Sequence, residues 1–360
     1  MPLRCTWDQV AAFRLRRQHL AEPGNDPVAV ANRLVGVHAQ IASSAEMALG
    51  ARVPGLTAED VGAAVAERRT LVKAWGLRKT LHLFGPAELP LVLAALRTSA
   101  LYRDAHLKPA WLRYHKVTLE EMQAIDAHVS EALDGRAMTR DQLASQLARI
   151  TGSDAVGEAV RSGWGAVLKP AAFRGELCFG PDRGRNVTFV RPDQWLSDWA
   201  EPEPAAAADE LVRRGLRAHG PMALDDLRRW WGVQPADARR VLKRLAKELV
   251  EVDVEGWEGL ALAADADELA RSERLGGVHL LPMFDAYTIA ATRHVEPLLA
   301  PGGGREAIYR PQGWVSAVVV VDGRFAGTWT RKDDRIAIQP FGTLPRKAVD
   351  AEIERIQAFL

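Results

Sequence analysis

The sequence predicts a mainly α-helical chain with β-hairpins, an α+β class, and three observations lead there. A helix, a second helix, a third helix and a strand pair follow one another in that order three times along 360 residues, the third helix being strongly basic in the last copy. Gly and Pro punctuate the joins between these segments. After Asp265 the pattern gives way to alternating apolar runs separated by Gly-rich turns. Helix, helix, helix, hairpin is the order of a winged helix, in which the third helix can enter a DNA groove and the hairpin can touch the backbone.

Taken in chain order, residues 7–20 and 27–40 have helical apolar spacing, and Thr57 caps a helix over 58–67. Strands are expected at 71–77 and 80–84. The stretch between Gln40 and Thr57 has no counterpart in a minimal winged helix, and irregularity in one copy of a repeat marks where a site is added to a scaffold. In the second copy, residues 120–133 form a helix and Thr139 caps 140–149. A third helix is expected over 157–169 with Arg161 and Lys169, then a wing from 176–180 and 186–190. The third copy is the most regular. Residues 205–219 carry Leu211, Val212 and Leu216 at helical spacing, and Gly220-Pro221 stops them. A short helix over 223–231 has Asp225 and Asp226 at its positive end. Gly232 and Pro235 lead into 236–249, whose basic face holds Arg239, Arg240, Lys243, Arg244 and Lys247. Residues 249–254 and 260–263 are its wing, joined by a turn over 255–259. Beyond it, 278–281, 313–321 and 324–330 are strand-like, and 345–360 is an amphipathic helix. The domains expected are 1–118, 119–199, 200–266 and a small β-rich region over 267–360.

Composition narrows the class. Lys and Arg number 47 against 46 Asp and Glu, a net charge of +1, but a polyanion needs a basic face rather than a basic total. From Arg97 to Lys116 the chain carries Arg97, Arg103, Lys108, Arg113, Lys116, His106 and His115 against the single acid Asp104. Acids gather instead at 201–209 and 248–258. Such a run fits nucleic acid and equally fits a solvated helix face. Two cysteines, Cys5 and Cys178, are too few for a disulfide framework. With no apolar run of spanning length and no secretory segment, a cytoplasmic protein without membrane contact is expected.

The common catalytic signatures are missing. Neither His-x-x-x-His nor Cys-x-x-Cys occurs, so no metal is expected, and there is no phosphate-cradling Gly-x-x-x-x-Gly-Lys loop or Gly-x-Ser-x-Gly elbow. Gly302–Gly304 reads as a flexible loop. One segment stands out: His38-Ala39-Gln40, two hydrogen-bonding side chains at i and i+2 before the irregular stretch. From spacing alone it fits a surface helix residue and a polar cap as well as it fits chemistry. Trp164, Trp230, Trp231 and Trp329 read as core.

The whole chain resembles the AlkZ-like family of winged-helix DNA glycosylases. The matching residues are Thr6-Trp7; Gly36-Val37-His38-Ala39-Gln40 with Ala51-Arg52; Arg78-Lys79-Thr80-Leu81-His82; Leu280-Leu281-Pro282-Met283-Phe284-Asp285; and Gly323 through Trp329. The resemblance implies three tandem winged helices forming a concave DNA-binding surface, with catalysis at a Gln-x-Gln motif that falls on His38 and Gln40. The first glutamine is a histidine here; related sequences vary this motif. The resemblance further implies DNA repair of alkylated purines in duplex DNA, bulky adducts and interstrand crosslinks included, with no cofactor and no obligate protein partner, at the bacterial nucleoid. Arg52, Arg78, Lys79, Arg239, Lys243 and Arg244 are expected at DNA phosphates. His82 and Asp285 support the site or hold structure.

The motif is chemically sensible. A purine alkylated at N7 is cationic, so its departure needs no general acid. What remains is to hold water against an oxocarbenium-like sugar. A glutamine carbonyl accepts from that water, and a neutral imidazole can do the same. The rival expectations are a winged-helix transcriptional regulator and a DNA-structure-binding scaffold, neither with catalysis; regulators more often carry one motif per subunit.

Overall fold

The computed structural model describes residues 1–162, 165–197, 199–333 and 335–359. The expectation for Trp164 lies outside them. The architecture is mixed α/β: many short helices and several small sheets, the largest of four strands. Two compact units are present. One comprises Met1–Val61, Val212–Trp231 and Ala238–Leu360, the other Gly62–Leu211 and Gly232–Asp237. No helix among the described residues is long and apolar enough to cross a membrane.

The first unit is organised by an antiparallel sheet in the order Val278–Leu281, Val318–Val321, Arg324–Lys332, Arg335–Pro340. Alternate residues of a strand face opposite sides, and both sides here are apolar. Leu281, Val318, Val320 and Phe325 pack with Val10, Ala11 and Phe13 of the helix Trp7–Arg17. Leu280, Ala317, Val319 and Trp329 pack with Ile356 of the helix Arg346–Phe359 and with Met47. The buried Trp329 Nε1 donates to the Leu281 carbonyl at 2.8 Å. Thr6 starts Trp7–Arg17 through a reciprocal capping box with Gln9. The strand before it, Leu3–Cys5, pairs in parallel with Val252–Val254 of the hairpin formed by Leu249–Val254 and Trp257–Leu262. Arg14 is buried and donates to the Gly220 and Pro221 carbonyls, with His294 Nε2 2.8 Å from its Nη1.

In the second unit the helices Leu119–Ala132 and Arg140–Thr151 each begin with a Thr capping box, at Thr118 and Thr139. Asp154–Ser162 follows, then a hairpin of Cys178–Arg183 and Asn186–Val190. Met138–Thr139 pairs with the second of these strands.

Several boundaries depart from the sequence expectations. The helix expected over 27–40 stops at Arg33, because Val35 and Gly36 take left-handed backbone (φ 60° and 96°). The irregular stretch 40–57 is itself helical at Ala42–Gly50. The helix expected over 157–169 divides: Asp154–Ser162 ends, Gly165 sits at φ 78°, and Lys169–Phe173 restarts with Pro170 in its first turn. The turn expected over 255–259 is only Glu255-Gly256, both with positive φ, as a two-residue hairpin turn requires. The strand Arg335–Pro340 was not anticipated.

Candidate active site

His38 lies on a short strand, Val37–His38, rather than on a helix. His38 is buried and Gln40, just past the strand, is exposed. The imidazole stacks on Phe284 at 4.7 Å with an interplanar angle of 23°. Phe284 has φ 60°, a conformation that bulky side chains rarely adopt and that marks a constrained position. Trp314, partly exposed, meets Phe284 edge-on at 5.3 Å. A cleft of about 690 Å³ opens beside Trp314, with Ser43, Ser44 and Met47 from the helix after Gln40 and with Met283 and Arg310 in its wall.

Asp285 explains how Phe284 is held. Its carboxylate caps the helix Ala286–Ala290 by accepting from the Tyr287 N–H at 2.9 Å, and accepts two bonds of 2.8 Å from Arg52. Arg52 also donates to the Gln18 and Ala48 carbonyls at 2.8 Å. Neither side chain of the pair has exposed area. This corrects the expectation for Arg52: four of its five N–H groups are bonded inside the protein, and the side chain has no exposed area to offer a phosphate. Asp285 is structural support one residue from the ring that backs His38.

Arg78, Lys79 and His82 belong to the other unit, on the hairpin of Val72–Trp75 and Leu81–Phe84. Arg78 and Lys79 form its tip, both left-handed at φ 56° and 58°. Backbone N–H groups of both donate to the buried Tyr102 hydroxyl, which fixes the turn. Gly232 closes on the same spot: a Cβ there would lie 2.7 Å from the Arg78 Cα and 2.7 Å from the Tyr102 oxygen. His82 is buried. Its Nδ1 donates to the Thr80 carbonyl at 3.0 Å, which leaves Nε2 to accept from Arg78 at 3.2 Å. His82 therefore positions Arg78 as a neutral imidazole. Burial lowers the Arg78 guanidinium to about 10, still charged at neutral pH.

Arg239, Lys243 and Arg244 are exposed on the helix Pro235–Arg244, while Ala238 and Val241 of that helix are buried. Within the Arg97–Lys116 run the charges divide. Arg97 bonds Glu201 and the Phe173 carbonyl, Arg103 pairs with Asp104, and His106 pairs with Asp126. Lys108, Arg113 and Lys116 are exposed. Sequence reasoning missed the roles of Phe284, Tyr102 and Trp314. For Phe284 the only signal was its place in a quoted motif; for the other two there was none. Among the described residues no cluster of His, Cys, Asp and Glu is arranged to hold a metal ion.

A buried histidine stacked on an aromatic, an exposed glutamine two residues on and exposed basic side chains on the helix Pro235–Arg244 suit a protein that acts on nucleic acid. The chain belongs to the AlkZ-like DNA glycosylase family, whose model matches residues 31–359. It is thus an enzyme acting on N-glycosyl bonds of DNA. It is similar to the interstrand DNA cross-link repair glycosylase of Streptomyces sahachiroi, 38% identical over 98% of this chain and 96% of that protein. It is also similar to the solved structure of the Streptomyces sahachiroi DNA glycosylase AlkZ, with a TM-score of 0.88 and 36% identity over 99% of this chain and 97% of that one.

Proposed function

We propose that this glycosylase is monofunctional and hydrolyses the N-glycosidic bond of cationic alkylated purines of the N7-alkylguanine type in duplex DNA, bulky adducts and interstrand crosslinks among them. The observation that carries the reading is His38-Ala39-Gln40 leaving a short strand against Phe284, the aromatic held in place by Asp285. In this reading the positive purine leaves without a general acid. The exposed Gln40 carbonyl accepts from water and aims it at the anomeric carbon. His38, neutral, accepts from the same water or takes its proton. A carboxylate pair is not needed, because the leaving group already carries the charge that protonation would supply. The cleft beside Trp314 offers an aromatic and polar wall to the adduct. The kinship with a cross-link repair enzyme supports the choice of substrate.

The architecture proposed with it is three tandem winged-helix units, 1–118, 119–199 and 200–266, lining a concave DNA surface, with 267–360 as a C-terminal β-rich region. Arg78, Lys79, Arg239, Lys243 and Arg244 are proposed at phosphates. The enzyme would act in the cytoplasm at the nucleoid, without cofactor or obligate protein partner. A non-catalytic regulator has no use for a backed His38-Ala39-Gln40 motif.

Single-turnover base release from one defined N7-alkylguanine duplex tests the site. Gln40→Ala is expected to lose most activity while keeping duplex affinity, since the glutamine acts on the transition state. His38→Gln retains activity and His38→Ala loses more. An imidazolium would oppose the sugar cation, so wild-type activity falls with acid and His38→Gln does not follow. Full activity in Gln40→Ala would remove the catalytic assignment.

A further inference from the structure

A second pocket, in the unit formed by Gly62–Leu211 and Gly232–Asp237, has no role in the chemistry above. It measures about 150 Å³ and is lined by Lys79, Lys169 and His115, with Tyr102, His106 and Trp111 in its wall. No carboxylate is among its lining residues. Asp126, the acid bonded to His106, is already committed to His106 at 2.8 Å and to Arg174 at 3.0 Å. Lys169 donates from Nζ to the Lys79 carbonyl at 3.0 Å, which fixes one proton and leaves two for a ligand. Lys79 Nζ lies 5.5 Å from the Tyr102 ring centre, and Trp111 holds His115 with ring centres 4.2 Å apart.

Two ammonium groups, with an imidazole beside them, face one cavity that no carboxylate among its described lining residues neutralises, and they repel each other unless an anion joins them. Burial lowers the Lys79 and Lys169 ammonium groups and the His115 imidazole from their usual values, and the Lys169 charge lowers Lys79 and His115 further. An anion in the pocket opposes these shifts by stabilising the charged forms. The volume falls below the roughly 300 Å³ at which pockets for drug-sized ligands begin. It equals about five waters at ~30 Å³ each, room for a tetrahedral oxyanion. The surroundings select which. The helix Pro109–His115 supplies Trp111 and His115 to the pocket, exposes Arg113 and Tyr114, and is flanked by exposed Lys108 and Lys116. A basic surface continuing past the pocket suits a polyanion threaded across it rather than a free ion.

We propose that this pocket seats one backbone phosphate of the DNA, gripped by Lys79, Lys169 and His115. The inference rests on DNA as the ligand, and it adds Lys169 and His115 to the contacts and the Arg97–Lys116 run to the binding surface.

The test is affinity of the full chain for undamaged duplex across a salt series. In Lys169→Met the slope of log affinity against log salt falls by about one contact, with roughly eightfold weaker binding near 0.1 M salt. Lys169→Arg restores both. Ala105→Glu, which puts a carboxylate into the pocket wall and leaves both lysines in place, reproduces the loss, so a folding defect in Lys169→Met does not decide the matter. Inorganic phosphate at fixed ionic strength weakens wild-type binding more than Lys169→Met binding. The two readings fail separately: unaltered slopes in a protein that still releases base overturn this pocket alone, whereas a wild-type protein without duplex affinity sinks the catalytic reading. Unaltered slopes in both Lys169→Met and Ala105→Glu overturn the proposal. So does phosphate that raises the melting temperature of the wild type while leaving its DNA affinity untouched.

Discussion

Replacing Asp285 by Asn removes one charge and almost no volume, and it isolates what the buried pair does. The remaining amide oxygen can still accept from the Tyr287 N–H, so the helix cap survives in part. Arg52 does not fare as well. Its guanidinium has no exposed area, loses its counter-charge and the Oδ2 acceptor, and keeps the Gln18 and Ala48 carbonyls and a share of the neutral amide oxygen. Stranding a buried charge in this way costs about 3–5 kcal/mol. A cooperative unit of this size moves by about 2–4 °C per kcal/mol, so the melting temperature is expected to fall by about 6–20 °C. The double variant Arg52→Met with Asp285→Leu removes both charges and recovers most of the loss. Thermal melts of the three proteins measure this, alongside duplex affinity against salt for Arg52→Met. An Arg52 at a phosphate predicts the opposite pattern: a small thermal shift and a slope lower by about one. A shift under about 2 °C in Asp285→Asn together with that lower slope would refute the structural assignment. Phe284 precedes Asp285, so single-turnover excision in Asp285→Asn also slows wherever the stack on His38 loosens.

Acid lability should trace in part to His294. Its ring packs against Trp7 and Trp257, Nε2 accepts from Arg14, and Nδ1 faces Asp226 at 3.4 Å. Burial, and then the Arg14 charge, lower its pKa below the usual 6.5, so the unfolded chain binds the proton more readily than the folded one. The stability carried by the neutral ring is complete above pH 6.5 and is lost as pH falls toward the folded value. Melts from pH 7.5 to 5 should fall less steeply in His294→Gln than in the wild type; parallel curves would exclude His294 as the source. At the hairpin tip, Gly232→Ala presses a methyl into the Arg78 backbone at φ 87° and should cost about 1–3 kcal/mol while weakening duplex binding. A melt and affinity equal to wild type would show that the tip gives way easily.

Much of the scaffold was legible because local rules suffice for it. Thr118 and Thr139 start helices through capping boxes that can be read from four residues. Glu255-Gly256 and Asp322-Gly323 carry positive φ between apolar alternations. Errors arose where local rules compete. The apolar spacing from Val30 to Val37 continues a helical period, and Gly36 alone announces the turn that ends it; the helical expectation placed His38 and Gln40 on diverging faces. Arg52 was assigned outward because a lone arginine beside a motif suits a phosphate. Its partner lies 233 positions away, a pairing no local pattern reveals. Phe284 is the same case, brought to His38 by the tertiary fold and kept in a backbone conformation that propensity argues against. The candidate pair itself was readable only through family resemblance.

The pairing of Leu3–Cys5 with Val252–Val254, and of Arg52 with Asp285, has a consequence for biosynthesis. Both join the start of the chain to parts made much later. At about 5–20 residues per second, a ribosome needs tens of seconds after exposing His38 before it delivers Phe284 and Asp285. Throughout that interval the first strand offers an unpaired edge, and Arg52 has no carboxylate to receive it. The nascent chain therefore depends on delayed folding or on chaperone shelter. It also carries the His38-Ala39-Gln40 motif in an unassembled state, so a polypeptide interrupted before residue 285 is expected to be silent toward DNA rather than a partly active nuisance.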